Sequence, residues 1–539
     1  MSLDNAQTHH RTAQDELTDY QLATDNFSSR AWKDWPNEAG FAELEEHRGP
    51  VELQIKGSIP GWAAGTLYRT RPGLNAVEDT SRGTYYVSHW YDGFGHTHKF
   101  DITSSGNRSD AKQVIYSSRR QSQAFIETIK QKGWRSGISF AQKSDPCVGL
   151  FAKVASYFRP SSPQMNNNVA IFQDYPGRPA KLTQEAGDRI GSGGNLFVTT
   201  DDSTIQEINS ETLEPLGSVN QSQILHPELT ATGTTDILAT ISEPDLSPAY
   251  IHSIFLTDNF VVLCVPSSHF SWKGLKIMWK RNLVEAIKPF DKTNLCKWLV
   301  VDRRHGEGLI ARFSTPAGFF FHSVNAFENY VVDEKGERRL NINLDYIGFE
   351  TTDIMTGLYY DVILDRNDAA TKFWVPNVGH RTNPRFVRQQ FQMPSQKQTA
   401  EETEMAVAHE VLSIRNPHAG ELPTINPTYA CKPYRYVFST CNRGLNTVAD
   451  ALVKTDLQTG DAIIWCGLHG HSPGEPIFVA KPEGVHEDDG VLLSIVLDGS
   501  AQRSYLLCLD ARSMTESGRA DADFAIGIGF HGLHTSATK

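Results

Sequence analysis

Three histidines stand in settings suited to metal chemistry. His252 lies in AYIHSIFLTDNFVV, His322 in GFFFHSVNAFE and His531 in GIGFHGLHTS, each following an aromatic or β-branched run of the kind that ends in a strand. They come from distant parts of the chain, as expected where several blades supply ligands to a common axis. Neutral imidazole suits Zn, Cu, Fe or Ni, so these residues point to a transition metal without selecting one. Each alone reads as a satisfied core histidine among the nineteen in the chain, and only their combination outweighs that reading. His226, in QILHPEL, is a further candidate twenty-six positions before His252.

A denser group is a weaker candidate. SHWYDGFGHTHKF packs His89, His96 and His98 together, and the alternation of His96 and His98 puts both on one strand face. That spacing could chelate zinc, but the Asp92-Gly93 turn and the flanking aromatics describe an ordinary hairpin, which is preferred. GSGGN at 191–195 lacks the Lys-Ser/Thr of a phosphate-binding loop and the spacing of a dinucleotide fingerprint. No HExxH pair occurs.

The elements that must position these residues read as short antiparallel strands. From about Glu52 onward, runs such as GTLYRT, NLFVTTDDSTIQEINSETLEPLG, FVVLCVP, RRLNINLDYI and GVLLSIVLDGS recur between turn signals, and DLQTGD and VDEKGERR read as hairpin turns. No strict repeat is visible, yet divergent blades keep only their strand spacing, so a β-propeller or large β-barrel is expected. Two segments break the rhythm. Residues 147–158 place Cys147, Leu150, Phe151, Val154, Tyr157 and Phe158 at helical spacing, and residues 270–290 crowd Trp272, Leu275, Met278 and Trp279 among Lys273, Lys276, Lys280 and Arg281. On an acidic chain the basic, Trp-rich 270–290 stretch suits a membrane surface or the mouth of an apolar tunnel, and equally an inserted helical cap; peripheral membrane contact is expected through 147–158 and 270–290.

A net charge of −12 argues against wholesale nucleic-acid binding. Seven scattered cysteines without CxxC spacing argue against a disulfide framework or zinc ribbon and for a reducing compartment. The N-terminus is polar from Met1, and nowhere do eighteen apolar residues run together. The expectation is a cytoplasmic protein, peripheral at most on internal membranes or lipid bodies, with a mobile tail over 1–45 and one domain over 46–539.

Taken together, GTLYRTRPG, HWYDGFGHTHKF, DPCVGLFAKVASYF, INSETLEPLG, PAYIHSIFLTDNFVV, FHSVNAFE, ELPTINPTYACKPYRY, GEPIFVAKPEGVHEDDGVLLSIV and the terminal GFHG resemble the carotenoid cleavage oxygenase family. The resemblance runs from about Gly65 to the C-terminus and is greatest to fungal members acting on torulene-like carotenoids or apocarotenoids. It implies an all-β, seven-bladed propeller with Fe(II) on its axis, under a helical dome enclosing an apolar tunnel. It also implies insertion of O₂ across a conjugated C=C bond of a carotenoid, giving two carbonyl products. Within the resemblance, His252, His322 and His531 match iron ligands. Glu421 and Glu475 match carboxylates that hold the far side of those imidazoles, and Asp201 stands where a third glutamate is usual, one methylene shorter. Arg71 replaces a glycine before Pro-Gly and would be strained if that turn needs a positive φ.

The first ligand departs most. The family's first iron histidine follows a strand like INSETLEPLG, and a hairpin and further strands separate it from the YIHS ligand. Here QILHPEL and TGTTDILATI adjoin at about Thr230 to Thr232. Either His226 has been recruited by a shorter loop, or the chain is an internally deleted variant keeping three ligands and an incomplete blade. The second reading fits better, because strands average five to six residues and the missing span would hold several. The rival functions are stilbene cleavage and a catalytically impaired propeller that binds carotenoid or lipid.

Overall fold

The runs of β-branched and aromatic residues form antiparallel strands in which neighbours follow chain order. The structure, a computed structural model, describes residues 7–105, 109–135, 137–143, 166–173, 196–200, 204–220, 237–243, 245–332, 336–376, 378–394 and 408–537. The chain divides into two units, each built from several stretches of sequence. One comprises Met1–Pro36, Ile237–Ser494 and Cys508–Ser517; the other comprises Asn37–Asp236, Ile495–Leu507 and Gly518–Lys539.

In the first unit, Phe255–Leu256, Phe260–Val265, Cys296–Asp302 and Leu309–Thr315 make one four-stranded sheet. Alternation decides which side chains enter the core: Val262 and Cys264 are fully buried while Val261 and Leu263 are only half-buried. Trp298, opposite Cys264, donates its indole N–H to Thr315 Oγ1 at 2.9 Å. The next sheet runs through Phe319–Val332, Arg338–Phe349, Arg385–Gln392 and His409–Arg415. Phe320, Tyr346 and Phe391 pack on Trp298, making one apolar core from both sheets. A third sheet contains Glu421–Thr424, Tyr436–Cys441, Ala451–Asp456 and Ala462–Cys466. Its DLQTGD connection is the expected hairpin, closed by a Gly460 N–H to Asp456 O bond of 2.8 Å with Gly460 at φ 78°.

Two connections carry the helical insertions. Val265 to Cys296 contains Leu275–Lys280 and Leu283–Ala286, and Phe349 to Arg385 contains Ile354–Gly357, Tyr360–Ile363, Ala369–Trp374 and Val378–Arg381. Pairing of Cys296 with Thr315, and of Phe319 with Phe349, places both insertions at the strand ends that adjoin the 315–319 turn. His322 lies three residues inward from that turn.

The segment expected as a mobile tail is built into the structure from Gln7 onward. Gln7–Arg11 adds a fifth strand to the third sheet by pairing with Ala462–Cys466. Helix Glu16–Ser29 follows, with Asp19 accepting from Arg11 at 2.7 and 2.6 Å and meeting His418 Nε2 at 2.9 Å. Phe27 stacks on Trp374, and Trp35 donates to Ser472 Oγ at 2.8 Å. An edge strand pairs through backbone N–H and C=O groups, so its polar side chains carried no signal of it. Trp32 and Trp35, both buried, were the legible hint.

In the second unit, Val51–Gly57, Ala111–Arg120, Phe94–Ser104, Gly65–Leu74 and Gly532–Ser536 lie side by side in that order, so the C-terminal strand pairs with Gly65–Leu74. Ala170–Gln173, Leu196–Thr199, Thr204–Ile208 and Pro215–Asn220 make a further sheet. Among the described residues no strand follows until Phe255. Arg71 is not strained: it sits in Gly65–Leu74 opposite His96, buried, and donates to Ile526 O at 2.7 Å and Gly40 O at 2.5 Å. Gly527, at φ 73°, leaves the space its guanidinium fills. His96 and His98 are stacked and buried in the same sheet, and His98 Nδ1 meets Tyr116 Oη at 2.7 Å. They belong to a strand, as the hairpin reading held.

Candidate metal centre

The strand that carries His322 begins with three buried phenylalanines, Phe319, Phe320 and Phe321, which anchor it in the core. Directly after them the ladder slips: Phe320 pairs with Gly348 but Ser323 pairs with Tyr346. A bulge of this kind re-aims the side chain at the irregular position, here His322. Sequence periodicity cannot locate such a slip, because it depends on the partner strand.

His252 lies in the extended segment just before Phe255–Leu256. That segment is tied down by Tyr250 N–H to Ser268 O at 3.1 Å and by Ser268 Oγ to Tyr250 O at 2.7 Å. Ser253 Oγ then donates to Phe321 O at 2.6 Å, joining the two histidine-bearing segments directly. The imidazoles meet edge to face with centroids 5.2 Å apart, and their ligand nitrogens lie within 4.8 Å of one another.

Each ring is held by its Nδ1. Glu421 Oε2 hydrogen-bonds His322 Nδ1, and Tyr250 Oη meets His252 Nδ1 at 2.8 Å. A carboxylate on Nδ1 fixes the proton there, makes Nε2 the ligating nitrogen and raises its basicity. Glu421 is itself positioned by a ladder irregularity before Thr424 and by the Leu422 N–H at 3.0 Å, with Leu422 at φ 52°. Positive φ at a bulky residue is rare and persists where the surroundings enforce it. We expect Glu421→Gln to weaken metal affinity by roughly 10–100-fold while leaving the fold intact, measured by anaerobic metal titration and circular dichroism. Unchanged affinity would remove Glu421 from the site.

Glu475 follows His471–Pro473 and is buried, which excludes the bland reading of a solvated loop charge. Tyr250 was missed from the sequence. Its signal was its place two residues before His252 in an extended run, where i and i+2 share a face. His531 belongs to the second unit, where its N–H donates to Val169 O and its carbonyl accepts from Thr70 N–H, each at 3.2 Å. Phe530 beside it packs on Trp90 and Tyr91. Asp201, His226 and residues 147–158 lie outside the described residues.

A donor set of neutral imidazoles, with the far nitrogens of His252 and His322 taken by hydroxyl and carboxylate partners, fits a divalent transition metal.

A sequence model of the retinal pigment epithelial membrane protein family, RPE65, matches residues 41–536. Among the relatives, a torulene dioxygenase of Gibberella fujikuroi is 48% identical over 583 aligned positions, covering 100% of both chains. A carotenoid dioxygenase of Neurospora crassa is 42% identical, covering 99% of this chain and 96% of its own. Among solved structures, cobalt-substituted Synechocystis apocarotenoid oxygenase superposes with a TM-score of 0.60 at 20% identity, covering 95% of this chain and 99% of its own. The fold is therefore the β-propeller of that protein.

Proposed function

Because this chain belongs to the RPE65 and carotenoid oxygenase family, we propose that it is a non-haem Fe(II) dioxygenase that cleaves a conjugated C=C bond of a torulene-like carotenoid or apocarotenoid. One O₂ is consumed and each former alkene carbon becomes a carbonyl, giving two aldehyde products. The observation that carries the reading is the His252 and His322 pair with Glu421 on His322 Nδ1. His252, His322 and His531 would hold the iron, with Glu421 and Glu475 behind the imidazoles. Fe(II), when bound, supplies the open positions and electrons that let O₂ react with an alkene. The chain's own residues orient the ligand nitrogens; no acid or base at the substrate is required.

A second reading, a carotenoid-binding propeller with impaired catalysis, has a specific observation in its favour. The torulene dioxygenase alignment spans 583 positions against 539 residues in this chain, so 44 positions have no counterpart here. One four-stranded propeller blade takes about 40–45 residues. We infer that the missing length is one blade's worth, lying between Asn220 and Phe255, and that the first ligand went with it. On that reading neither His226 nor Asp201 serves the metal, and iron is held by three histidines. His226→Ala would then leave iron content unchanged.

Iron analysis combined with incubation on torulene, β-carotene and resveratrol separates the readings. Iron with torulene-derived aldehydes supports cleavage, and resveratrol products would indicate the stilbene branch. Carotenoid binding without products supports the impaired propeller.

Peripheral membrane contact would deliver so apolar a substrate. Trp272, Leu275 and Trp279 are 62%, 70% and 64% exposed beside Lys273, Lys276 and Lys280, an apolar patch with a basic rim. Among the described residues no helix is long and apolar enough to cross a membrane. The pair Trp272→Ser and Trp279→Ser is expected to cut sedimentation with anionic vesicles at least ~5-fold while sparing turnover of detergent-dispersed substrate. Unaltered vesicle binding would rule the patch out.

A further inference from the structure

Between the first two sheets of the first unit lies a cavity of about 400 Å³. Trp298, Phe319, Phe320 and Phe349 supply the apolar part of its walls, Lys292, Thr315 and Glu350 also line it, and the Arg385–Glu410 ion pair, 2.7 Å, lies in its lining. Two groups in the lining have chemistry that the metal site does not use. One is the Cys296 thiol. The other is the Gln389 carboxamide, which is only 3% exposed and whose Oε1 has no hydrogen-bond partner among the described residues.

Cys296 is arranged as a nucleophile. Its Sγ lies 3.7 Å from Ser267 Oγ and donates to Gly318 O at 3.5 Å, with the Cys264 thiol nearby. The Cys264 hydrogen bond, helped by Ser267 and the Gly318 backbone, holds the Cys296 thiol below the ordinary cysteine value; burial and the same hydrogen bond push Cys264 up. The two residues are diagonal neighbours, since Cys264 pairs with Trp298, so their Cα atoms are farther apart than a disulfide favours. The pair suits one activated thiol and one donor rather than a cystine.

Gln389 indicates what should enter. Its Oε1 is buried with no donor among the described residues, which is costly. A ligand filling this cavity should be mostly apolar, carry an electrophilic carbon for Sγ and present one hydroxyl to Gln389 Oε1.

We propose that the cavity captures an apolar aldehyde reversibly on Cys296 as a hemithioacetal. In that step a Sγ–C bond forms, the C=O π bond opens, and the thiol proton ends on the oxygen. The new hydroxyl is the donor that Gln389 Oε1 lacks. No oxidant or other reactant is consumed. The proposal rests on the proposed function only for the source of the aldehyde, as a cleavage product; binding itself needs neither iron nor turnover.

Iodoacetamide labelling of the folded protein at neutral pH, followed by peptide mass spectrometry, tests it with citral as the aldehyde and geraniol as its alcohol counterpart. Cys431, whose thiol donates to Leu256 O at 3.2 Å and is pushed up by burial, serves as the internal reference. Cys296 should label at least fivefold faster than Cys431. Citral should slow Cys296 labelling at least tenfold, and geraniol should leave it unchanged. Gln389→Leu should keep the labelling rate and lose most of the citral protection, whereas loss of folding would expose all cysteines equally. The proposal is overturned if Cys296 labels no faster than Cys431, if geraniol protects as well as citral, or if Gln389→Leu retains full protection. Because every arm works on metal-free protein, failure here leaves the dioxygenase reading standing, and absence of cleavage leaves the capture site standing.

Discussion

His322→Ala is expected to reduce bound iron to background and to abolish carotenoid cleavage. The imidazole has a single role that no neighbour can assume. Its Nδ1 is occupied by Glu421, its ligand nitrogen lies within 4.8 Å of that of His252, and the ladder slips on either side of Ser323, just past it. Removing an outer partner of a ligand typically costs 10–100-fold, so losing the ligand should exceed ~100-fold in metal affinity. The effect is greater still if the site starts from three histidines. Alanine also strips Glu421 of its hydrogen-bonded partner and leaves a carboxylate facing the site. The strand should persist, because Phe319, Phe320 and Phe321 keep it anchored in the core. The check is iron stoichiometry and aldehyde formation on refolded and native preparations alike, with circular dichroism as the control. Retention of stoichiometric iron by a well-folded His322→Ala protein would displace the centre from this place.

The second large effect concerns stability. Asp345 is completely buried, receives two parallel hydrogen bonds from Arg388 at 2.8 and 2.7 Å, and accepts from Tyr434 Oη at 2.5 Å. The Arg388 guanidinium also lies over the Phe327 and Tyr434 rings, 5.0 and 5.7 Å from their centroids. This one carboxylate therefore links the second sheet to the segment entering the third. Asp345→Ala leaves the Arg388 cation and the Tyr434 hydroxyl without their acceptor in a low-dielectric setting, a defect worth about 3–5 kcal/mol. Asp345→Asn keeps an acceptor and should cost less. Urea denaturation followed by tryptophan fluorescence measures both, and a change under ~1 kcal/mol for Asp345→Ala would show that the pair is not structurally important.

The strands were legible because alternating β-branched and aromatic residues must bury one face, and a turn such as DLQTGD dictates its own hairpin. His252 and His322 were legible for the same reason, standing at the ends of such runs. The resemblance then supplied Glu421, which composition alone would have left as a solvated loop charge. The N-terminal segment was misread as a tail because Gln7–Arg11 joins its sheet through backbone groups, whose pairing no side chain advertises. The setting of Arg71 was illegible for a related reason: its carbonyl partners, Ile526 and Gly40, are remote in sequence.

By itself, then, the amino-acid sequence determined the strand-rich architecture, the family and the candidate histidines. These follow from local patterns, which depend only on neighbours along the chain. Only the tertiary structure decided that His252 and His322 face one another, that Tyr250 and Glu421 hold their Nδ1 atoms, and that Cys296 and Gln389 share a cavity. Those relations depend on register, and a ladder that slips by one residue redirects a side chain without leaving any mark in the sequence.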